Sequence, residues 1–191
     1  MNDKDIFTSS IYEALTSFEI KGLTFRDFFN AADTTSRCAS LHLLFPESRA
    51  WQQDEALEVE YDFNALFVGP ATLLAPPYAS VYLDEEPLLM GATTLRVREF
   101  LQNMGLFVTE ENSVPDDHIS YEMELAVMLS VHARHSPQYH DALTRFVRGH
   151  LELWLPAFIT KINDCAQTSA MKCLASQLTN WFDELKTRVI L

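Results

Sequence analysis

The run from Ile119 to Val131 limits what this chain can become more than any other stretch. Ile119, Tyr121, Met123, Leu125, Ala126, Val127, Met128, Leu129 and Val131 leave almost no polar face on a helix. Such a helix must be covered on every side, so it should be central. Glu122 and Glu124 interrupt its first turns, and they are expected at its edge or in a cleft. Material to cover it is ample, since 48% of the 191 residues are hydrophobic and 12% aromatic. The five glycines are few and no regular strand-turn-strand spacing appears, which argues for helices as the cover. The expected architecture is all-α, a single-domain helical bundle over residues 1–191.

The covering helices can be read in order. Ile6, Phe7, Ile11, Leu15 and Phe18 recur at helical steps, with Lys21-Gly22 as the expected stop. Thr24 and Asp27 resemble a capping box for a second helix through Phe25, Phe28 and Phe29. Cys38 to Phe45 ends at Pro46, and Leu57 to Phe67 ends at Gly69-Pro70. Pro87 to Met104 resumes helix with Gly105 closing it. After the central helix, Ser136-Pro137 is a cap with a first-position proline. That helix should break or kink at Pro156, and the last runs from about Ser169 to Thr187.

Two stretches do not fit this pattern of simple cover. Residues 69–90 contain Ala75-Pro76-Pro77-Tyr78-Ala79-Ser80-Val81-Tyr82, which cannot be helical through its prolines and is too aromatic for an idle loop. It reads as a functional loop or as a packed connector. The other is the Asp-His motif at 114–118, where Pro115-Asp116-Asp117-His118 opens the central helix. Acids suit a first helical turn, so Asp116 and Asp117 read first as capping residues. A charged His118 would be poorly tolerated there, so a neighbouring acid or a partner should set its state.

The charge is −13 and unevenly spread. Between residues 50 and 133 there are fifteen acids against Arg96 and Arg98 alone. Such a surface repels nucleic acid and anionic lipid and attracts basic peptides. It is also compatible with no more than a solvated face. Neither a signal peptide nor a run approaching about 20 apolar residues is visible, so no stable membrane insertion is expected and the location should be cytoplasmic. Cys38, Cys165 and Cys173 lie far from any CxxC spacing and fit ordinary packing.

Chemistry finds little to build on. His132 and His135 share a possible helix face but lack a fixed third ligand, so they read as a helix end and no metal site is expected. Asp117 and His118 are adjacent and so point about 100° apart on a helix, unsuited to orienting one another. No hydrolase, P-loop or dinucleotide motif accompanies them. No catalytic residue and no cofactor is assigned.

Three ordered motifs nevertheless resemble one family. They are Tyr61-Asp-Phe-Asn-Ala-Leu66-Phe67-Val-Gly69-Pro70, then Pro76-Pro77-Tyr78-Ala-Ser80-Val-Tyr82, then Pro115-Asp-Asp117-His118. His150-Leu-Glu-Leu-Trp154-Leu-Pro156-Ala-Phe158 follows in the same order. Together they resemble the TorD/DmsD/NarJ-type chaperones that mature molybdenum-cofactor redox enzymes, the TorD/DmsD branch more closely, over about residues 61–191. Val114 stands where that family usually has Glu, and Tyr78 or Tyr82 where it often has Trp.

The resemblance implies a helical bundle of the TorD/DmsD type and a non-enzymatic task. The partners implied are the twin-arginine leader peptide and the apo-form of a molybdopterin oxidoreductase, of dimethyl sulfoxide or trimethylamine N-oxide reductase type, held back from export during cofactor insertion. A leader has a paired-arginine end and an apolar segment, so its receptor needs carboxylates beside an apolar groove. On that footing Leu73, Pro76, Pro77, Tyr78, Ser80 and Tyr82 are expected on the groove. Asp117, with Glu122 or Glu124, is expected near the arginines, and His118 is expected to fix the loop or respond to pH. The alternatives are a scaffold docking on the mature reductase subunit, or a small nucleotide-binding protein or hydrolase using Asp117 and His118. A homodimer, domain-swapped or not, is also open.

Overall fold

The structure is a computed structural model that describes residues 15–46, 55–86, 91–104 and 114–189. Residues 5–14 of the first expected helix, and Leu88 of the one expected from Pro87, lie outside the described residues. The helices are α1 (Ser17–Asn30), α2 (Thr34–Leu44), α3 (Ala56–Phe63), α4 (Ser80–Leu83), α5 (Ala92–Asn103), α6 (Ile119–Ala133), α7 (Pro137–Phe146), α8 (Glu152–Cys165) and α9 (Ser169–Arg188). Wider π turns follow α3 (Asn64–Val68) and α7 (Val147–Leu151).

The apolar run is the centre, as its composition requires. In α6 Ile119, Met123, Ala126 and Leu129 are fully buried, with Leu125, Val127 and Met128 close to it. α1 lies along one side of α6 and α7 along another, α2 packs on α1, and α9 lies along α8 while also touching α1, α2 and α3. The buried apolar residues of these helices form a single cluster.

The stop expected at Lys21-Gly22 is not there. α1 runs through Gly22, and its start is a capping box between Thr16 and Glu19 rather than Thr24 and Asp27. Thr24 Oγ1 donates instead to the carbonyl of Ile20 inside the helix. Gly22 serves a close approach: a β-carbon there would lie 2.5 Å from Val127 Cγ2 of α6 and 2.8 Å from Trp181 Cζ2 of α9. Trp181 also stacks on Phe18, with ring centroids 5.1 Å apart, and donates to the Phe18 carbonyl at 3.0 Å. The packing of three helices at this point outweighs the local tendency of glycine to end one.

Pro156 is likewise continuous with its helix. α8 runs from Glu152 to Cys165 with Pro156 inside it, and the irregularity falls upstream in the π turn Val147–Leu151. A proline lacks the N–H for the preceding turn and crowds the carbonyl four residues back. The widened turn just before that carbonyl accommodates this, and the helix shifts instead of breaking. The other boundaries follow their local chemistry. Gly69 closes the π turn after α3 with φ of +102°, a conformation only glycine adopts freely. α5 starts at Ala92 with Gly91 as its cap, and its expected limits Pro87 and Gly105 lie outside the described residues.

An unforeseen link joins α3 to α9. Asp62 Oδ2 accepts from the backbone N–H groups of Gln167 (3.0 Å) and Thr168 (2.8 Å) and from the Thr168 hydroxyl (2.7 Å). Thr168 in turn caps α9. The carboxylate thus fixes the corner where the chain turns back from α8.

Candidate functional site

The proline-rich loop and the Asp-His motif meet backbone to backbone. Tyr78 and His118 form an antiparallel bridge, in which Ile119 N–H donates to the Pro77 carbonyl at 2.9 Å and Ala79 N–H to the Asp117 carbonyl at 3.1 Å. The Tyr78 and His118 rings meet edge to face at 5.1 Å. Prolines keep the loop extended, which leaves it free to pair in this way.

Asp117 is fully buried and faces away from the helix it precedes. Its carboxylate accepts from the Ser80 backbone N–H and from Thr94 Oγ1, both at 2.7 Å. It therefore clasps the start of α4 to α5. Asp116 pairs with Arg98 of α5, so the two acids read as caps for α6 both serve other helices. The cap of α6 is His118, whose Nδ1 accepts from Ser120 N–H at 3.3 Å and lies 2.7 Å from Ser120 Oγ. Burial pushes the His118 imidazole down to about 4 despite the upward pull of Asp117, which keeps it the neutral acceptor this role needs.

Glu122 and Glu124, two residues apart, serve opposite sides of α6. Glu124 is half-buried and paired with Arg26 of α1 at 3.1 Å. Glu122 is not at an edge: it is fully buried and takes His150 Nε2 at 2.6 Å and Trp154 Nε1 at 3.0 Å. Two donors from successive turns remove the cost of burying it bare. Burial pushes the Glu122 carboxyl up, with His150 opposing. Burial also works against charge on His150, but Glu122 and Asp117 outweigh it and hold the imidazole above its ordinary value.

His150 opens onto a groove of about 550 Å³ between α5 and the α7–α8 segment. Its walls are apolar through Val97, Phe100, Met104, Phe146 and Leu153, with Arg96 and Arg145 also lining it. Leu83, at the end of the loop helix, lines both this groove and an adjoining hollow formed by Asp84, Glu85, Glu86, Gly91 and Ala92. Glu85 and Glu86 are exposed, whereas Asp84 caps α5 through Thr93.

The loop residues singled out from sequence are not among those lining this groove. Pro77 and Ser80 are buried, while Leu73, Pro76, Tyr78 and Tyr82 are half-buried. Tyr82 packs on Trp154 and Phe158, with centroids 5.6 and 6.3 Å away. Phe100, Phe146 and His150 were not among the expected site residues. The signal available was His150 and Trp154, one helical turn apart and able to share one buried acid. No group of three metal-ligating side chains occurs among the described residues, and none of their helices is long and apolar enough to cross a membrane.

Residues 30–160 match the family described as nitrate reductase delta subunit. The chain belongs to that family. Its relatives place it on the TorD/DmsD side. It is 36% identical over 125 residues to the chaperone protein TorD of Vibrio cholerae, covering 62% of this chain and 55% of that one. To the "probable Tat proofreading chaperone DmsD" of Haemophilus influenzae it is 32% identical over 113 residues, 59% and 53% of the two chains. The match thus spans about half the length of these relatives. A TorD of Shewanella pealeana is 25% identical over 201 residues, 95% of this chain and 89% of the relative. The fold is shared with a crystal structure of a candidate redox enzyme maturation protein from Archaeoglobus fulgidus, at a TM-score of 0.63 and 20% identity over 88% of this TorD/DmsD-type chain and 95% of the other.

Proposed function

We propose that this chain is a redox-enzyme maturation chaperone that binds the twin-arginine leader of its client, a molybdopterin oxidoreductase, and holds it while the cofactor is inserted. The observation that carries the reading is the groove between α5 and α8, with apolar contact from Val97, Phe100, Met104, Phe146 and Leu153 and adjoined at Leu83 by Glu85 and Glu86. A leader's apolar segment fits the first part and its paired arginines fit the second. The names of the relatives, chaperones of Tat proofreading and TorD type, point the same way. Asp117, His118 and the loop from Leu73 to Tyr82 act in this reading by holding α4 and α5 in place, since Asp117 already has two donors. The task is binding, with no bond made or broken.

The test is calorimetric titration with twin-arginine leader peptides from dimethyl sulfoxide and trimethylamine N-oxide reductases, each beside its Lys-Lys variant, at two salt concentrations. Micromolar binding of one leader, weakened by salt and by Lys-Lys, is expected. Leu153, at 60% exposed, can be changed without emptying the core. Leu153→Asp should weaken binding at least about tenfold, by placing a charge where the apolar segment lies. Failure of every leader, with binding of a leaderless reductase subunit instead, would replace this reading by docking on the mature protein.

A further inference from the structure

His150 gives one ring nitrogen, Nε2, to Glu122 at 2.6 Å, and its side chain lines the groove. Nδ1 has no hydrogen-bond partner among the described residues, and the side chain is 15% exposed on the groove wall. The ring is held flat against Phe146, with centroids 5.4 Å apart and planes within 20°. Trp154 occupies the second oxygen of Glu122, so the acid has little freedom to turn. The imidazole is therefore fixed in position and orientation before anything binds.

The walls around it offer apolar contact and two guanidinium groups. An extended peptide laid in such a groove brings backbone carbonyls that lose their water and need donors. We propose that His150 is the groove's main-chain anchor, its Nδ1–H donating to a backbone carbonyl of the bound peptide's apolar segment while Glu122 fixes the ring from behind. This rests on the leader-binding reading. It adds which side chain recognises the backbone of that segment and makes recognition there independent of side-chain sequence.

Glu122 makes the anchor depend on a single proton. When the Glu122–His150 pair holds two protons, one lies between Nε2 and the carboxylate and the other is on Nδ1, whichever partner is formally charged. Removing one leaves Nε2–H on the carboxylate and turns Nδ1 into an acceptor, which repels a carbonyl oxygen. The charged groups facing His150 are Glu122 from α6, Asp117 from the segment before it, Arg96 from α5 and Arg145 from α7. The two carboxylates favour the proton and Arg96 opposes it. The Arg148–Glu152 pair lies on the same helical segment as His150.

The experiment follows the affinity of an N-acetylated leader peptide from about pH 6 to about pH 9 for the wild-type chain, His150→Gln and Glu122→Gln. Acetylation removes the peptide's own titrating amine. Wild-type affinity should fall about tenfold across the range, as expected for one lost charge-assisted hydrogen bond. Glu122→Gln should move that fall to lower pH, and His150→Gln, which keeps a donor toward Glu122, should flatten it. The Nδ1 resonance of His150 should also shift on peptide addition. A merely structural pair would lower the melting temperature of both variants while leaving the pH slope of affinity unchanged. Leader binding with the same slope in wild type and His150→Gln would overturn the proposal. Failure of the wild-type chain to bind any leader across the range would overturn the leader reading itself.

Discussion

Ser80 and Asp117 are 37 residues apart in sequence, yet the backbone N–H of one donates to the carboxylate of the other at 2.7 Å, wholly out of solvent. The same carboxylate holds Thr94, so one side chain joins the loop helix, α5 and the approach to α6. The motif fastens these elements together, and in the proposed function it acts on binding through the placement of Leu83, Val97 and Phe100 on the groove.

Asp117→Ala should accordingly cost stability first. It leaves a buried N–H and a buried hydroxyl without their acceptor, a loss of about 2–4 kcal/mol. Urea unfolding monitored by circular dichroism reads it directly. Asp117→Asn retains one acceptor oxygen and should lose less. An Asp117→Ala protein of wild-type stability that no longer binds leader would instead assign the carboxylate to the peptide.

Gly22→Ala should destabilise by about 2–3 kcal/mol through overpacking, although alanine is the better helix former. The contact at 2.5 Å is with Val127 Cγ2, so Val127→Ala in the same chain should recover part of the loss. A double-mutant cycle on thermal midpoints measures that coupling.

The His118 imidazole is held down at about 4, against about 6.5 in an unfolded chain. Between those values the unfolded state binds the extra proton and the folded state does not. Stability therefore falls as pH drops from about 6.5 to about 4, by an amount on the order of 3 kcal/mol, and levels off below. His118→Asn keeps a capping side chain and should remove this part of the acid sensitivity. Chemical denaturation at intervals of pH compares the two; parallel curves would mean the ring is charged in the fold.

Asp62→Ala should detach the start of α9, since three donors converge on one of its oxygens. A cost of about 2–3 kcal/mol is expected. Faster hydrogen exchange at Gln167, Thr168 and Met171 should accompany it, while α6 stays protected.

The central helix was legible because burial on all sides leaves a signature that needs no partner to interpret, and Ile119 to Val131 carries it. The ends of α2, α7 and α9 were legible from Pro46, Ser136-Pro137 and the apolar spacing to Leu185. Gly22 misled because its local tendency is overridden by Trp181 from across the fold, while at Pro156 the helix does not break and a π turn lies upstream. The site divided in the same way. The loop and the Asp-His motif stood out for composition, and they do meet. That Asp117 looks inward, and that Glu122 is satisfied by residues 28 and 32 positions later, depends on helices approaching from far along the chain.

The π turn at Val147–Leu151 works as a change of phase. Each α-helical residue advances the chain about 100°, so one extra residue in a turn sets everything beyond it one step round. Leu143 and Phe146 before the turn and Trp154, Leu155 and Phe158 after it are all buried, but α7 packs on α6 while α8 packs on α4 and α9. Gly149, within the turn, has open space where a β-carbon would be. Deleting it would remove no side chain, yet it would swing Trp154 off Glu122 and Phe158 off Tyr82. At this point the fold is held by a count of residues rather than by the identity of any one of them.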